Sequence, residues 1–327
     1  MNKVSSKIAV SDAHSKLILA GEHAVVYGKP AIAIPFPLKV RTKIKESFGP
    51  IMFESAIYSG SMNNMPMKLK GISACIKETL SNLNQPLEGL HIQIDSAIPL
   101  GRGLGSSAAI AIAIVRGLFS FYGQKLSQKE LLSLVHIAET FAHGNPSGID
   151  MAAELSERPI WFQKGKETVP IITGEPLYIV VADTGRIGDT RTAVENVRKK
   201  YFLEQSKVQK SLDEIEKIVD ATKDALMEGD IYLLGKLLYR NQEELIALGV
   251  SDEGLNRLIE TAKNADALGA KLTGGGLGGC MMALAESQEH SKEISYELMK
   301  SGAARSWYFS TEKDTLYASV IKGEQSK

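Results

Sequence analysis

The segment that most restricts how this chain can fold runs from Pro99 to Ala109 and reads PLGRGLGSSAA. Three alternating glycines stand directly before two serines and an apolar Ala/Ile run that indicates a helix. Glycine tolerates positive φ and close backbone approach, so successive N–H groups can turn toward one anion while the helix adds its positive dipole end. The pattern predicts a phosphate-binding loop, and it leaves a purely structural turn open. It is neither a P-loop nor a dinucleotide fingerprint.

Composition limits the classes of function. The 327 residues, 44% of them hydrophobic, are enough for two domain cores. Basic and acidic residues both number 38, so no basic excess favours a nucleic acid or an acidic membrane as partner. Two cysteines are too few for a disulfide framework or a Cys-based metal site, which fits a reducing cytoplasm. No stretch has the apolar length of a secretion signal or a membrane span, so we expect a soluble, unprocessed protein.

Hydrophobic periodicity gives helices interspersed with short strands, which predicts an α+β protein with two domains, 1–173 and 174–327. The helix from Ser127 to Phe141 has the best local support, because Ser127 and Glu130 form an S-x-x-E capping box. The predicted strands are one strand-turn-strand unit within Ser15–Val40 and single strands at Leu90–Asp95, Pro159–Phe162, Leu177–Ala182 and Cys280–Ala285. The other predicted helices are one that starts at Ala108, two or three between Thr190 and Gly249 that break near Gly229, and one from Glu253 to Ala265.

A second glycine cluster runs from Lys271 to Cys280 and reads KLTGGGLGGC. Five of the six positions from Gly274 to Gly279 are glycine. In regular structure each would cost roughly 0.5–1 kcal/mol relative to alanine, so the density indicates close backbone approach or a tight turn. A simple hairpin explains the cluster equally well.

Dispersed polar residues supply the groups that phosphoryl transfer needs: an anion-binding loop, oxygen ligands for a metal, and a group that orients or deprotonates the attacking hydroxyl. Glu139 lies beside the apolar stripe of its helix, where a carboxylate needs a partner such as magnesium. A boundary glutamate that faces water is the simpler interpretation. His143 is interpreted as structural or solvated rather than as a ligand. The candidates are Lys16, Glu22, His23, Glu139, His143 and Asp150.

Together these motifs resemble the GHMP kinase superfamily, named for its galacto-, homoserine, mevalonate and phosphomevalonate kinases. The segment KLILAGEHAVVYGKPA from Lys16 to Ala31 is similar to its first motif, Pro99–Ala109 to its second and Lys271–Cys280 to its third. The GEHAVV segment from Gly21 and HGNPSGID from His143 are most similar to the members that phosphorylate mevalonate. The resemblance implies the two-domain GHMP kinase fold, with the active site in the cleft between the domains.

The resemblance also implies an activity and a role for each matching residue. The γ-phosphoryl group of ATP would pass, with Mg²⁺, to the primary hydroxyl of (R)-mevalonate for isoprenoid precursor synthesis. Asp150 would be the catalytic aspartate, Lys16 the cation that lowers the pKa of the hydroxyl, and Ser107 and Glu139 the magnesium ligands. Residues around the nucleotide phosphates would be Pro99, Gly101, Arg102, Gly103, Leu104, Gly105, Ser106 and Ser107. Residues that bind or shape the acceptor site would be Glu22, His23, Gly148, Thr190, Gly274, Gly275 and Gly276.

The sequence departs from the superfamily pattern at two places. His14-Ser15 stands where Pro-Gly is usual, and Leu277 interrupts the third glycine run. Neither change removes a reacting group, so only local loop shape is in question. A related kinase of phosphomevalonate or another small alcohol, or a non-catalytic nucleotide-binding regulatory relative, remains an alternative. A homodimer is left open, since no residue pattern identifies an interface.

Overall fold

A computed structural model describes residues 7–144, 146–312 and 319–321, and within the third helix it leaves the side chains of residues 142 and 143 undescribed. The chain separates into two compact units. Unit 1 contains residues up to 15, residues 38–99 and residues 105–154. Unit 2 contains residues 16–37, 100–104 and those from 155 onward. The domain boundary between residues 173 and 174 stays a prediction.

Two long strands, β1 (Ile8–Ala20) and β2 (Ala31–Pro50), contribute residues to both units. They correspond to the strand-turn-strand unit predicted within Ser15–Val40, although each strand is longer than predicted. The unpredicted first part of β1 has exposed apolar residues, Ile8 and Val10, on either side of the buried Ala9. All three are apolar, so the sequence shows no alternation of polar and apolar residues that would predict a strand there.

Unit 1 combines strands with a layer of helices. Its elements are β3 (Met52–Ser55), β4 (Tyr58–Ser61), α1 (Lys70–Asn82), β5 (Glu88–Ser96), α2 (Ser106–Tyr122), α3 (Gln128–His143) and α4 (Ile149–Glu154). In the sheet, β2 pairs antiparallel with β5, β5 pairs parallel with β3, and β3 pairs antiparallel with β4. Helix α2 is apolar on most of its surface and is buried against α1 and α3.

The predicted capping box at the start of α3 is confirmed. The Ser127 hydroxyl accepts a hydrogen bond from the Glu130 backbone N–H at 3.2 Å. The Glu130 carboxylate accepts one from the Ser127 backbone N–H at 2.9 Å. The two orphan donors of the first helical turn are thus satisfied by residues three positions apart, which is why the helix start could be predicted locally.

Unit 2 contains an antiparallel sheet and helices that pack on it. The elements are β6 (Ile160–Phe162), β7 (Val169–Pro170), β8 (Tyr178–Asp183), α5 (Thr190–Leu203), α6 (Gln205–Glu228), α7 (Ile231–Leu248), α8 (Glu253–Asn264), β9 (Gly269–Thr273), β10 (Cys280–Ala285), α9 (Gln288–Lys300), β11 (Arg305–Ser310) and β12 (Ser319–Ile321). The strand order in the antiparallel sheet is β12-β11-β8-β10-β9. Strand β6 pairs with the first residues of β2. The predicted α+β class is confirmed.

The predicted break between amphipathic helices is also confirmed. Helix α6 ends at Glu228 and is capped by Gly229, which adopts a left-handed conformation with φ of 76°. Asp230 follows and caps α7 by accepting a hydrogen bond from the Leu233 backbone N–H at 2.8 Å. None of the described helices combines the length and the apolar character that crossing a membrane requires.

Candidate functional site

The two glycine motifs meet in unit 2. A Cβ atom added at Gly103 would lie 2.8 Å from the Thr273 carbonyl oxygen, and one added at Gly274 would lie 2.7 Å from the Gly103 Cα. Both glycines also have positive φ, near 80°. The backbones therefore approach closer than any side chain would allow. The Gly274–Gly279 segment joins the antiparallel pair β9 and β10, so the hairpin and the close approach are both present.

The first motif joins the same cluster through β1. The buried Lys16 ammonium donates a hydrogen bond to the Gly103 carbonyl at 3.0 Å. Two residues on, the Ile18 backbone N–H donates to the Thr273 hydroxyl at 3.0 Å, and that hydroxyl donates to the Ile18 carbonyl at 3.1 Å. Residues of three motifs that lie far apart in the chain thus share one hydrogen-bond network. In the sequence these motifs could be recognised only separately.

His23 contacts the third motif directly. Its Nε2 lies 2.9 Å from the Gly275 carbonyl oxygen, and the ring is 5% exposed. Burial lowers the pKa of His23 to about 4, so the ring is neutral at neutral pH. Because a carbonyl can only accept, Nε2 carries the proton and Nδ1 is left as an acceptor. Thr190 lies beside the same glycine, since a Cβ at Gly275 would be 2.4 Å from the Thr190 Oγ1.

Glu22 forms an ion pair with Lys271, and both side chains are fully buried. Burial raises the pKa of Glu22 while the Lys271 charge opposes that rise. Burial likewise lowers the pKa of Lys271 while Glu22 opposes the fall. Lys271 was not among the predicted site residues. The available signal was a lysine in a five-residue strand that is otherwise free of charge, where a buried cation needs a counter-charge.

Arg102 fastens the phosphate-loop segment to the end of β8. Its Nε lies 3.0 Å from the Asp183 carboxylate, which is almost fully buried, and its Nη2 donates to the Gly185 carbonyl at 3.0 Å. The Gly188 backbone N–H donates to the Gly101 carbonyl at 2.9 Å. Protein oxygens therefore hold the guanidinium group through Nε and Nη2, whereas its buried Nη1 has no hydrogen-bond partner in the described part of the chain.

Unit 1 holds the hydroxyl and carboxylate candidates. Ser106 and Ser107 open α2 after Gly105, which has φ of 76° and gives the helix no side-chain cap. Free N–H groups of a first helical turn favour a phosphate. Asp150 lies in the first turn of α4, half-buried, two residues after Gly148 with φ of 90°. Glu139 is 2% exposed on α3, so the prediction of a boundary glutamate facing water is wrong. The side chain of His143 lies outside the described residues.

The described residues include no group of three His, Cys, Asp or Glu side chains that could hold a metal. Magnesium is nevertheless commonly bound by one or two carboxylates together with substrate phosphates. Glu139 offers a buried carboxylate, and Ser107 offers a hydroxyl at the start of a helix whose dipole favours phosphate. This donor set, all oxygen, fits a hard divalent cation.

Comparison with known proteins decides the family. The model of the GHMP kinases N terminal domain matches residues 69–158, and the model of the GHMP kinases C terminal domain matches residues 222–304. The chain belongs to the GHMP kinase family. Membership confirms the resemblance found in the sequence and makes the chain an ATP-dependent small-molecule kinase.

Individual relatives of this GHMP kinase are similar over nearly their whole length. Mevalonate kinase of Pyrococcus horikoshii is 36% identical over 308 residues, covering 86% of this chain and 90% of that protein. The structure of L. major mevalonate kinase in complex with R-mevalonate has a TM-score of 0.77 at 25% identity and covers 99% of this chain and 98% of that one. Phosphomevalonate kinase of Streptococcus pneumoniae, at 19% identity and a TM-score of 0.76 over 95% of this chain and 99% of that one, shares the fold alone.

Proposed function

We propose that this protein transfers the γ-phosphoryl group of ATP to the primary hydroxyl of (R)-mevalonate, giving 5-phosphomevalonate and ADP. The observation that carries the proposal is the network in which Lys16, Glu22 and His23 of the first motif bond to residues of the second and third motifs. Relatives named mevalonate kinase that align over nine-tenths of their length support the same acceptor.

The nucleotide phosphates bind the segment from Pro99 to Ser107 in this proposal. Gly101, Gly103 and Gly105 all have positive φ, which lets backbone N–H groups turn toward an anion, and the N-terminus of α2 adds its positive dipole end. These groups stabilise negative charge without reorganising during the reaction. Leu104 is buried and anchors the loop.

Phosphoryl transfer proceeds in line through a loose transition state, so positioning and electrostatics supply most of the rate. Asp150 orients the primary hydroxyl and accepts its proton. Lys16 places a positive charge that favours the alkoxide character of the attacking oxygen. The hydrogen bond from Lys16 to the Gly103 carbonyl fixes that ammonium relative to the phosphate loop. Ser107 and Glu139 would hold Mg²⁺, which neutralises charge on the phosphate oxygens when it is bound.

The acceptor contacts Glu22, His23 and Thr190, with Gly148 and the Gly274–Gly276 segment shaping the space around it. Glycine at position 275 is required because a Cβ there would lie 2.4 Å from Oγ1 and 2.8 Å from Cα of Thr190. His23 is neutral and offers Nδ1 as an acceptor, so it binds a hydroxyl donor without adding charge.

A phosphorylated acceptor would require extra cations to bind its second phosphate. Each cationic side chain of the unit 2 network already contacts a protein oxygen: Lys16 that of Gly103, Lys271 that of Glu22 and Arg102 that of Asp183, with Nη1 of Arg102 alone lacking a partner among the described residues. This arrangement favours mevalonate over phosphomevalonate. A cytoplasmic location, which the two free, buried cysteines fit, and a homodimer both stay predictions.

The proposal is tested by measuring ADP release with ATP, magnesium and each of four acceptors: (R)-mevalonate, phosphomevalonate, homoserine and galactose. We expect turnover with mevalonate alone, because the network offers acceptors for hydroxyl groups and its three cations already contact protein oxygens. Turnover with a rival acceptor and none with mevalonate would overturn the substrate. ATP binding without ADP release for any acceptor would revive the regulatory alternative.

The Asp150→Asn protein, purified in parallel, is the matched control for contaminating kinases. It should bind ATP normally and lose most turnover, since an amide cannot accept the proton of the hydroxyl. Near-normal kcat in the folded variant would remove Asp150 from the mechanism.

A further inference from the structure

Lys271, the buried cation of β9, has a further role in the proposed function, and this inference rests on that function. The Lys271 ammonium has three acceptors: Glu22 Oε1, the Leu272 carbonyl at 2.6 Å and, more distantly, the Ile18 carbonyl at 3.5 Å. An ammonium group has three N–H donors, so this set uses all of them. Lys271 is 0% exposed and has no donor left for a bound molecule.

Glu22 is satisfied on one side only. Its Oε1 accepts from Lys271, whereas its Oε2 is buried and has no hydrogen-bond partner within the described part of the chain. A buried carboxylate oxygen without a donor is costly, which indicates that a donor arrives with a ligand. A hydroxyl group of the substrate that receives the phosphoryl group can be this donor. The next residue of the first motif, His23, contacts the Gly275 carbonyl oxygen.

Stability alone does not account for the pair. Replacing a buried ion pair by apolar residues of similar volume is often neutral or stabilising, because desolvation offsets the attraction. The pair also lies within the electrostatic reach of Lys16, which acts on both of its members. Glu22 is therefore influenced by two lysines, of which Lys271 contacts it directly.

We propose that Lys271 is a positioning residue for the phosphoryl acceptor. It binds Oε1 of Glu22, fixes the carboxylate in one orientation and keeps it ionised, so that Oε2 accepts a hydrogen bond from a substrate hydroxyl. Lys271 touches neither substrate nor nucleotide in this account. Its whole effect passes through Glu22.

A Lys271→Met variant, which keeps an unbranched side chain of similar length and removes its charge, tests the inference. We expect the KM for mevalonate to rise about tenfold or more, as loss of a hydrogen bond to a charged group predicts, with kcat and the KM for ATP little changed. Without its counter-charge the buried Glu22 carboxyl takes up a proton more easily. The KM for mevalonate should therefore fall as pH rises in the variant and stay flatter in the wild type. The other titratable groups nearby are Lys16 and His23, whose lowered pKa keeps the ring neutral over this pH range.

Gln242→Met is the matched control for damage to β9. Gln242 is buried on α7 and accepts a hydrogen bond from the Leu272 backbone N–H at 3.0 Å, so its loss weakens the same strand without touching Glu22. It should lower thermal stability and leave the KM for mevalonate unchanged. An equal rise of that KM in both variants, or no rise in Lys271→Met, would show that Lys271 is merely structural.

A double-mutant cycle keeps the test decisive if Lys271→Met folds poorly. Glu22→Gln with Lys271→Met leaves no unpaired buried charge, so the double variant should fold. Its KM for mevalonate should match that of Glu22→Gln alone, because Lys271 acts only through Glu22. A further rise in the double variant would overturn the inference. Should the wild type phosphorylate a different acceptor, the proposed function fails, and the same cycle with that acceptor still tests Lys271.

Discussion

A single buried ring, His23, gives this protein a specific dependence of stability on pH. Burial lowers the pKa of His23 from 6.5 to about 4 in the folded state. The unfolded chain therefore binds more protons between these values, and stability is lost as pH falls from 6.5 to 4. We expect protonation of His23 to lower the free energy of unfolding by about 3 kcal/mol by the time the pH reaches 4. Urea denaturation at several pH values measures this loss.

The His23→Gln variant isolates this contribution from those of other groups. Glu22 acts in the opposite sense, since a carboxyl whose pKa is raised on folding stabilises the folded state as pH falls. Glu22 is present in both proteins, so its contribution cancels when the free energy of unfolding of the variant is subtracted from that of the wild type. If the two proteins lose stability in parallel as pH falls, the neutral state assigned to His23 is wrong.

At the scale of elements, packing overrides helix propensity in α7. Replacing a helical glycine by alanine ordinarily stabilises a helix by about 1 kcal/mol. At Gly235, however, the new Cβ would lie 2.2 Å from the carbonyl oxygen of Leu268, which directly precedes β9. Gly235→Ala should therefore destabilise the protein by about 1–3 kcal/mol, as overpacking does, in urea denaturation.

The neighbouring Lys236→Ala change provides the propensity control. Lys236 is exposed on the same helix, so its replacement should change stability by no more than about 0.5 kcal/mol. A Gly235→Ala protein as stable as Lys236→Ala would show that α7 and β9 do not pack as tightly as described.

Elements with local signals could be predicted, and those that depend on distant partners could not. Helix α3 was predictable because its capping box joins two residues only three positions apart, and the break at Gly229 was predictable because glycine and aspartate mark it. Helix α1 was missed although Ile72, Ile76 and Leu80 recur at helical spacing, since it begins without a side-chain cap.

The candidate site shows the same limit. Its motifs carry local signatures of glycines and hydroxyls, so their positions and chemistry were predictable. The ion pair between Glu22 and Lys271 joins residues 249 positions apart, and no local pattern specifies such a partner. The close approach of Gly103 to Gly274 likewise depends on how unit 2 folds, and the glycine density could indicate only that some backbone comes near.

At the scale of the molecule, the proposed roles are divided between the two units. Ser107, Glu139 and Asp150, assigned to the metal and the proton, belong to unit 1. The Lys16, Glu22 and Lys271 network belongs to unit 2. Strands β1 and β2 contribute residues to both units, so each strand is part of the unit that holds Asp150 and of the unit that holds Lys16.

The most direct test of the central claim is the identity and stoichiometry of the product. Phosphorus NMR and mass spectrometry of a reaction containing ATP, magnesium and (R)-mevalonate should show one phosphomonoester, on the primary hydroxyl of mevalonate, for each ADP formed. Formation of ADP with inorganic phosphate alone, or a phosphate on the tertiary hydroxyl, would contradict the account.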